Sequence, residues 1–149
     1  MAMDFAKQNT KQNTKQNTKI KKGESRFTVA VLCSGGCLDT LAAMRCGFVP
    51  IWSTETHVAK AAMWRDLTKS VCLGDTFCET VLIAERPDYM KSGQPCPEYS
   101  FAGSQRGKDG ATGWMFTKQA EIIKAVLSRC FCLEISDNAV NVNGGKEVR

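Results

Sequence analysis

The chain has 149 residues, 43% of them hydrophobic and 23% charged, which is enough for one domain with a real core and too short for two full ones. No stretch approaches the roughly 20 apolar residues of a membrane span, and Met1 to Phe5 lacks the basic-then-apolar start of a secretory signal. Of the net charge of +5, Met1 to Ser25 carries +4, because six lysines there stand against Asp4 and Glu24; the body is close to neutral.

That first segment repeats Lys-Gln-Asn-Thr three times, from Lys7 to Thr18, and offers little to bury. It reads as a disordered, basic, low-complexity tail over 1–25, ahead of one folded domain over 26–149. Its lysines suit loose attraction to a polyanion through counterion release, and a solvated extension with no partner fits the same composition. The chain has eight cysteines, and their spacing argues against both disulfides and zinc. With no secretory signal the expected setting is intracellular and reducing, the nucleus in a eukaryote and the cytoplasm otherwise. Cys33 with Cys37, and Cys130 with Cys132, lack the paired two-residue gaps of a zinc knuckle, and His57 is the only histidine. Neither a metal nor a membrane is expected as a partner, and most of the cysteines read as small buried hydrophobes.

Arg26 to Cys33 is a β-branched apolar run of the kind that forms a strand buried on both faces of a parallel sheet. Ser34-Gly35-Gly36 breaks it, and Leu38, Leu41, Ala42 and Cys46 recur at helical spacing up to Gly47, a natural stop. Phe48 to Ser53 is a second strand, ending just before Glu55. Val58, Ala61 and Ala62 mark a second helix running towards Leu67, and Ser70 to Leu73 is a short third strand closed by Gly74-Asp75. The order β-α-β-α-β predicts an α/β fold with a parallel sheet and right-handed crossovers. Beyond Thr76, Val81 to Ile83 fit helix or strand, and Asp88 to Ser92 makes a poor buried strand with only Tyr89 and Met90 as large apolar residues. A glycine-rich stretch (Gly103, Gly107, Gly110, Gly113) follows the loop of Cys96. Next comes a helix with Phe116, Ala120, Ile123, Val126 and Leu127 on one face. Cys130 to Ile135 then reads as a strand with Cys130, Cys132 and Glu134 on one side and Phe131, Leu133 and Ile135 on the other.

A glycine turn between a first strand and a first helix is where doubly wound folds bind nucleotides. The pattern Gly-x-Gly-x-x-Gly is missing, so a nucleoside without a pyrophosphate is the better candidate than a nicotinamide or flavin. Glu55, after the second strand, is placed to accept from both ribose hydroxyls, and Asp75, after the third, to reach an adenine amino group; each alone fits a solvated loop carboxylate better, and it is the pair at the ends of successive strands that points to a ligand. Cys96 lies between Pro95 and Pro97, whose fixed φ angles stiffen the backbone on both sides of the thiol. A rigid mount suits a nucleophile, although a cysteine taken at random is more often structural. Glu134 ends a largely apolar strand, where an unpaired carboxylate is costly, so it needs a partner, a proton or a surface position. A cysteine hydrolase is disfavoured, since its nucleophile relies on a histidine and His57 lies near Glu55 instead.

From Arg26 onward these pieces resemble the catalytic domain of cytosine-5 DNA methyltransferases. Gly93-Gln94-Pro95-Cys96-Pro97-Glu98-Tyr99-Ser100, followed by Ala102-Gly103, is similar to the family's Gly-x-Pro-Cys-Gln-x-Phe-Ser signature. Leu32-Cys33-Ser34-Gly35-Gly36-Cys37 resembles its Phe-x-Gly-x-Gly-Gly turn, and Leu133-Glu134-Ile135-Ser136 its Glu-Asn-Val motif. The resemblance implies a Rossmann-like methyltransferase fold and S-adenosylmethionine as cofactor, with Leu32, Ser34, Gly35, Gly36, Glu55, Asp75 and Pro95 as the cofactor-binding residues. It implies Cys96 as the nucleophile that attacks C6 of a flipped-out cytosine in DNA, and Glu134 as the group that holds or protonates N3. The sequence departs from the family at Ser34 and Cys37, where glycines are expected, at Pro97 in place of glutamine, and at Ile135-Ser136 in place of Asn-Val. In the family an arginine-bearing motif, the target-recognition region and the last cofactor motifs come after the point matched by Arg149. The expectation is therefore a C-terminally truncated domain, or one part of a split enzyme whose complementing chain supplies target recognition. A methyltransferase acting on tRNA cytosine, and an inactive remnant serving as a binding or regulatory module, are the alternatives.

Overall fold

Valine, alanine and leucine alternate through Thr28–Leu32 (β1) with no polar side chain after the threonine, so both faces of the strand need cover. The computed structural model, which describes residues 27–146, provides it. The predicted tail over 1–25 lies outside the described residues. Ala30 and Leu32 point into a core shared with Trp52, Val81, Met90, Ile122, Ile123 and Val126. Val29 and Val31 point the opposite way, towards Ala43, with Phe48 and Tyr89 packed alongside. Burying each leucine- or valine-sized side chain contributes about 1.5–3 kcal/mol, so β1 is the strand on which both layers depend.

Leu38–Arg45 (α1), Val49–Ser53 (β2), Val58–Thr68 (α2), Val71–Cys72 (β3), Glu79–Leu82 (α3), Tyr89–Gly93 (β4), Trp114–Val126 (α4) and Cys130–Glu134 (β5) complete the regular elements, with short 3₁₀ turns at Gly107–Asp109, Asp137–Val140 and Val142–Gly145. The five strands form one sheet in the order β3-β2-β1-β4-β5, and every pairing is parallel. This is the expected α/β class, a Rossmann-like arrangement in which the strand order turns at β1.

The helices bury faces that only partly match the periodicity: Ala61, Ile123 and Val126 are buried as expected, and other positions differ. In α1 it is Thr40 and Ala43 that face inward, while Leu38 is 77% exposed and Cys46 is exposed. Thr40 is inward because Trp64 of α2 donates its indole N–H to the Thr40 hydroxyl at 3.0 Å, with both side chains buried. The inward face of α2 is accordingly Ala61 and Trp64, and Val58 is exposed. In α4 the buried set is Gln119, Ile122, Ile123 and Val126, while Ala120 and Leu127 face outward, Leu127 because it caps the helix with φ 58°. The reading of the cysteines also changes: only Cys37 is buried, and Cys46, Cys130 and Cys132 are exposed.

Tyr-Met-Lys-Ser-Gly looked too polar for the middle of a sheet, yet β4 sits between β1 and β5. Met90 fills the core, and the Ser92 hydroxyl, fully buried, donates to the side-chain oxygen of Gln119 on α4. Lys91 pairs with Asp39 at 3.9 Å. Ser92 and Lys91 thus each have a partner from a helix, which offsets the cost of burying them.

Asp88 fixes where β4 begins. Its carboxylate accepts from the Thr28 N–H at 2.9 Å and the Thr28 hydroxyl at 3.0 Å, and Arg129 approaches at 3.4 Å. These bonds to Thr28, then the charges of Arg129 and Arg86, hold the Asp88 carboxyl below the usual aspartate range. A group whose acidity is raised by folding stabilises the fold above its unfolded pKa and loses that contribution as pH falls through the lower folded value. Asp88→Asn is therefore expected to lower the melting temperature at pH 7, with the gap to the parent closing as pH drops below about 4. Paired thermal melts across that range measure it, and a gap independent of pH would contradict this account.

Candidate active site at the carboxyl edge of the sheet

After Leu32 the backbone turns sharply, with Cys33, Gly35 and Cys37 at φ 54°, 50° and 62°. Glycine takes such angles freely, whereas an L side chain does so at a cost of roughly 1–2 kcal/mol. Cys37, at a position where glycine was expected, offsets that strain by burying its thiol to 1% exposure. The Ser34 N–H donates to the Thr54 carbonyl at 2.9 Å, which ties the turn to the end of β2.

Glu55 lies just past that end. One carboxylate oxygen accepts the Gly35 N–H at 2.9 Å and the other accepts the His57 N–H at 2.8 Å. Two backbone donors from different elements thus fix the orientation of the carboxylate, and each oxygen keeps a lone pair for a further donor. Asp75, beyond β3, is exposed and caps its own turn by accepting the Phe77 N–H at 3.0 Å. Glu55, Gly35 and Gly36 are brought together by this geometry, and Asp75 stands at the neighbouring strand end.

Under the turn runs a chain of side-chain hydrogen bonds that sequence reasoning did not find. The Thr54 and Thr76 hydroxyls are 2.6 Å apart, Thr54 accepts the Cys33 N–H at 2.9 Å, and the Cys33 thiol lies 3.3 Å from Thr76. Gln119 donates to the same thiol at 3.3 Å and accepts from Ser92. Burial, with the Glu55 charge adding to it, pushes the Cys33 thiol up against the pull of Thr76. Burial and then Glu55 do the same to Cys37. Both shifts disfavour the thiolate, which suits neither thiol to be a nucleophile.

The segment that carries Cys96, the expected nucleophile, leaves β4 at Gly93. Gly93 and Glu134 are register partners across β4 and β5, and a β-carbon on Gly93 would lie 3.4 Å from the Glu134 carboxylate and 3.7 Å from that of Asp39. The carboxylate therefore hangs over the glycine that leads, three residues on, to Cys96. Glu134 is exposed, which avoids the burial cost foreseen for it, and among the described residues it has no hydrogen-bond or ion-pair partner. Cys96 is half-buried, and its carbonyl accepts the N–H groups of Tyr99 and Ser100 at 3.0 and 2.9 Å, so it opens a tight turn. Pro95 and Pro97 on either side are exposed.

Glu98 holds that turn in place. It is 5% exposed and its carboxylate accepts the Ala111 N–H at 2.9 Å and the Ser104 hydroxyl, with Arg106 at 3.7 Å. Tyr99, also buried, donates its hydroxyl to the Gly113 carbonyl at 3.1 Å and packs with Ala139, Val142 and Phe116. The glycine-rich stretch exists to allow this closeness: a β-carbon on Gly103 would lie 1.6 Å from the Pro97 carbonyl oxygen, and one on Gly110 2.1 Å from the Glu98 carboxylate. Two further side chains at this edge, Ser34 and Gln94, are buried with no hydrogen-bond partner for Ser34 Oγ or either end of the Gln94 amide. Each unpaired buried group costs about 1–3 kcal/mol.

This fold and edge define an α/β domain of the methyltransferase type. The family model described as C-5 cytosine-specific DNA methylase matches residues 27–149, and the chain belongs to that family. No curated protein sequence matches it. Among solved structures, it is similar to the WlbA dehydrogenase from Chromobacterium violaceum, crystallised with NADH and UDP-GlcNAcA, at 11% identity and a TM-score of 0.43. That match covers 83% of this chain and 39% of the dehydrogenase. The chain thus spans well under half of that protein. Among the described residues no group of three or more His, Cys, Asp or Glu could hold a metal ion, and no helix is long and apolar enough to cross a membrane.

The glycine geometry makes one contrast measurable. Gly103→Ala must displace backbone and is expected to cost about 1–3 kcal/mol, lowering the melting temperature by at least about 2 °C and opening the 93–113 loop to protease. Gly36→Ala, with nothing within 4 Å of the added carbon, is expected to melt like the parent. Equal melting of the two variants would refute the close-packing account.

Proposed function

We propose that this domain transfers a methyl group from S-adenosylmethionine to C5 of cytosine in DNA through a covalent Cys96 adduct. The observation that supports this most is the register pair of Gly93 and Glu134, which puts a carboxylate beside the strand end from which the Cys96 turn departs. The donor set fits the cofactor: Glu55, oriented by the Gly35 and His57 amides, suits two ribose hydroxyls, and Asp75 suits an adenine amino group. Leu32, Ser34, Gly35 and Gly36 line the turn against it, with Pro95 on the facing segment. S-adenosylmethionine supplies the methyl group when bound.

The residues of the chain carry the remaining chemistry. The Cys96 thiolate forms a bond to C6 of a flipped-out cytosine, and the C5–C6 π electrons move to C5. Glu134 holds a proton at N3, so the charge collects at C5, where the methyl group is taken. Loss of the C5 proton to water or another base restores the double bond and expels Cys96 as thiolate.

A second reading, a domain that binds the cofactor without turnover, is favoured by Glu134 itself, which is exposed and unpartnered among the described residues. In the catalytic reading that carboxylate takes its support from a complementing chain, which would also bring target recognition. Covalent trapping separates the two. DNA and RNA carrying 5-fluorocytosine, offered with the cofactor and any complementing chain, are expected to give a denaturation-resistant adduct with the parent and none with Cys96→Ala. An adduct on RNA alone would move the substrate to tRNA. Cofactor binding without any adduct would establish the binding reading instead.

A further inference from the structure

We propose that the amino edge of the sheet, at the far end from the candidate active site, is a second nucleic-acid contact: an unpaired base enters an aromatic hollow there, and the neighbouring phosphates meet arginine and lysine. The hollow, of about 450 Å³, is lined by Phe27, Phe48, Asp88, Tyr89, Arg129 and Cys130. Each of the six is the first residue of β1, β2, β4 or β5 or the one just before it. The strands are parallel, so the hollow and the Glu55 and Cys96 segments lie at opposite ends of them.

Three rings in a chain form the wall. Phe27 and Phe48 are 6.1 Å apart between centroids and Phe48 and Tyr89 5.6 Å, tilted by 40° and 53°. Phe48 and Tyr89 pack against Val29, Val31 and Ala43, whereas Phe27 is 59% exposed and Cys130 is exposed. Small-molecule sites commonly measure roughly 300–1,000 Å³, so a planar base has room. Aromatic side chains take bases by stacking whatever the sequence, because every base has a π face. In a duplex those faces are covered by neighbouring pairs, which selects a single strand.

Charge completes the match. Asp88 is the one carboxylate in the lining, and it is already engaged by Thr28 and by Arg129, whose Nε lies 3.4 Å away. That contact orients a guanidinium on a side chain 71% exposed, and its terminal nitrogens are left for a phosphate. Arg86 is exposed nearby, with Glu85 beside it in the chain. The positive excess comes from the sequence ahead of Phe27: lysines recur every fourth residue at 7, 11, 15 and 19, followed by Lys21 and Lys22, and no acid lies between Lys7 and Gly23. The chain enters the domain at Phe27, so this charge is tethered to the lip of the hollow. A membrane surface would call for apolar residues among the lysines, and between Lys7 and Lys22 only Ile20 is apolar.

The site needs neither cofactor nor cytosine, and its test uses neither. Fluorescence anisotropy of the full chain is measured with a labelled oligothymidylate of about twelve nucleotides, and with a labelled A·T hairpin duplex, at about 50 to 200 mM salt. Phe27→Ala is expected to weaken the oligothymidylate about tenfold, the loss of one stacked base, with its salt dependence kept. Phe27→Trp should restore binding. Hairpin binding should be the same for Phe27→Ala as for the parent, which also shows that the variant is folded. Glutamine at all six tail lysines is expected to flatten the salt dependence for both ligands, since fewer counterions are released. The inference is overturned by equal oligothymidylate binding in parent and Phe27→Ala, by an equal loss on the hairpin, or by a parent that binds neither ligand. Preference for phosphatidylserine–phosphatidylcholine vesicles over the oligonucleotide would overturn it as well and assign the edge to a lipid surface. All of these outcomes leave the methyl-transfer reading as it stands.

Discussion

Parallel strands end at the same edge of a sheet, and at that edge their last peptide groups lose the ladder that satisfied them. Here the Cys33 N–H is taken up by Thr54, which begins a run of buried and half-buried side chains, Thr54, Thr76, Cys33, Gln119 and Ser92, joined hand to hand across the ends of β1, β2 and β4, the turn after β3, and α4. Everything at the site depends on it. The run fixes Cys33 at its left-handed angle, which sets the direction of the glycine turn, which in turn aims the Gly35 N–H at Glu55. It also holds Ser92, so that β4 can be both central and polar. A hydrogen-bonded network with every member paired rigidifies a core, whereas one with a missing member destabilises it.

A second constraint governs the Cys96 segment, and it is steric as much as electrostatic. Glu98 is a buried carboxylate satisfied from the residues around 104–111, and the chain can approach it only where glycine stands. The Cys96 turn is therefore clamped from the side away from β4, through Glu98 and Tyr99, as well as at Gly93. A thiol mounted this way has little freedom to drift, and positioning within a fraction of an ångström is what a nucleophile requires.

The parts of the fold readable from sequence were those whose signal is local. A β-branched run, a glycine break and an acid at the next strand end are short-range features, and β1, the turn, Glu55 and the α/β class followed from them. Faces and partners were less legible. Leu38 and Leu41 look like a buried stripe until Trp64, from another helix, brings an indole N–H that Thr40 accepts. Ser92 and Lys91 make β4 look like a surface strand until Gln119 and Asp39 arrive from elsewhere in the chain. Glu98 stood within the recognised motif but carried no mark of burial, because its donors lie up to 13 residues downstream. Gln94 gave no signal at all: an orphaned amide is visible only when the surroundings are known.

The two halves of the site differ in how firmly they are built, and the difference follows from their strands. The proposed cofactor half lies on β1 and β2, covered on both faces and joined by the buried run, so its carboxylate is oriented before any ligand arrives. Glu134 lies on β5, the edge of the sheet among the described residues, whose first three residues and last are exposed. A carboxylate with two backbone donors keeps one orientation, and a carboxylate with none takes its orientation from what docks against it. Under the proposed function, cofactor binding would thus rest on this domain's own packing. In the same proposed reading, proton holding at N3 would require a further contact on β5, so a partner surface covering that strand would act on turnover while leaving cofactor affinity unchanged.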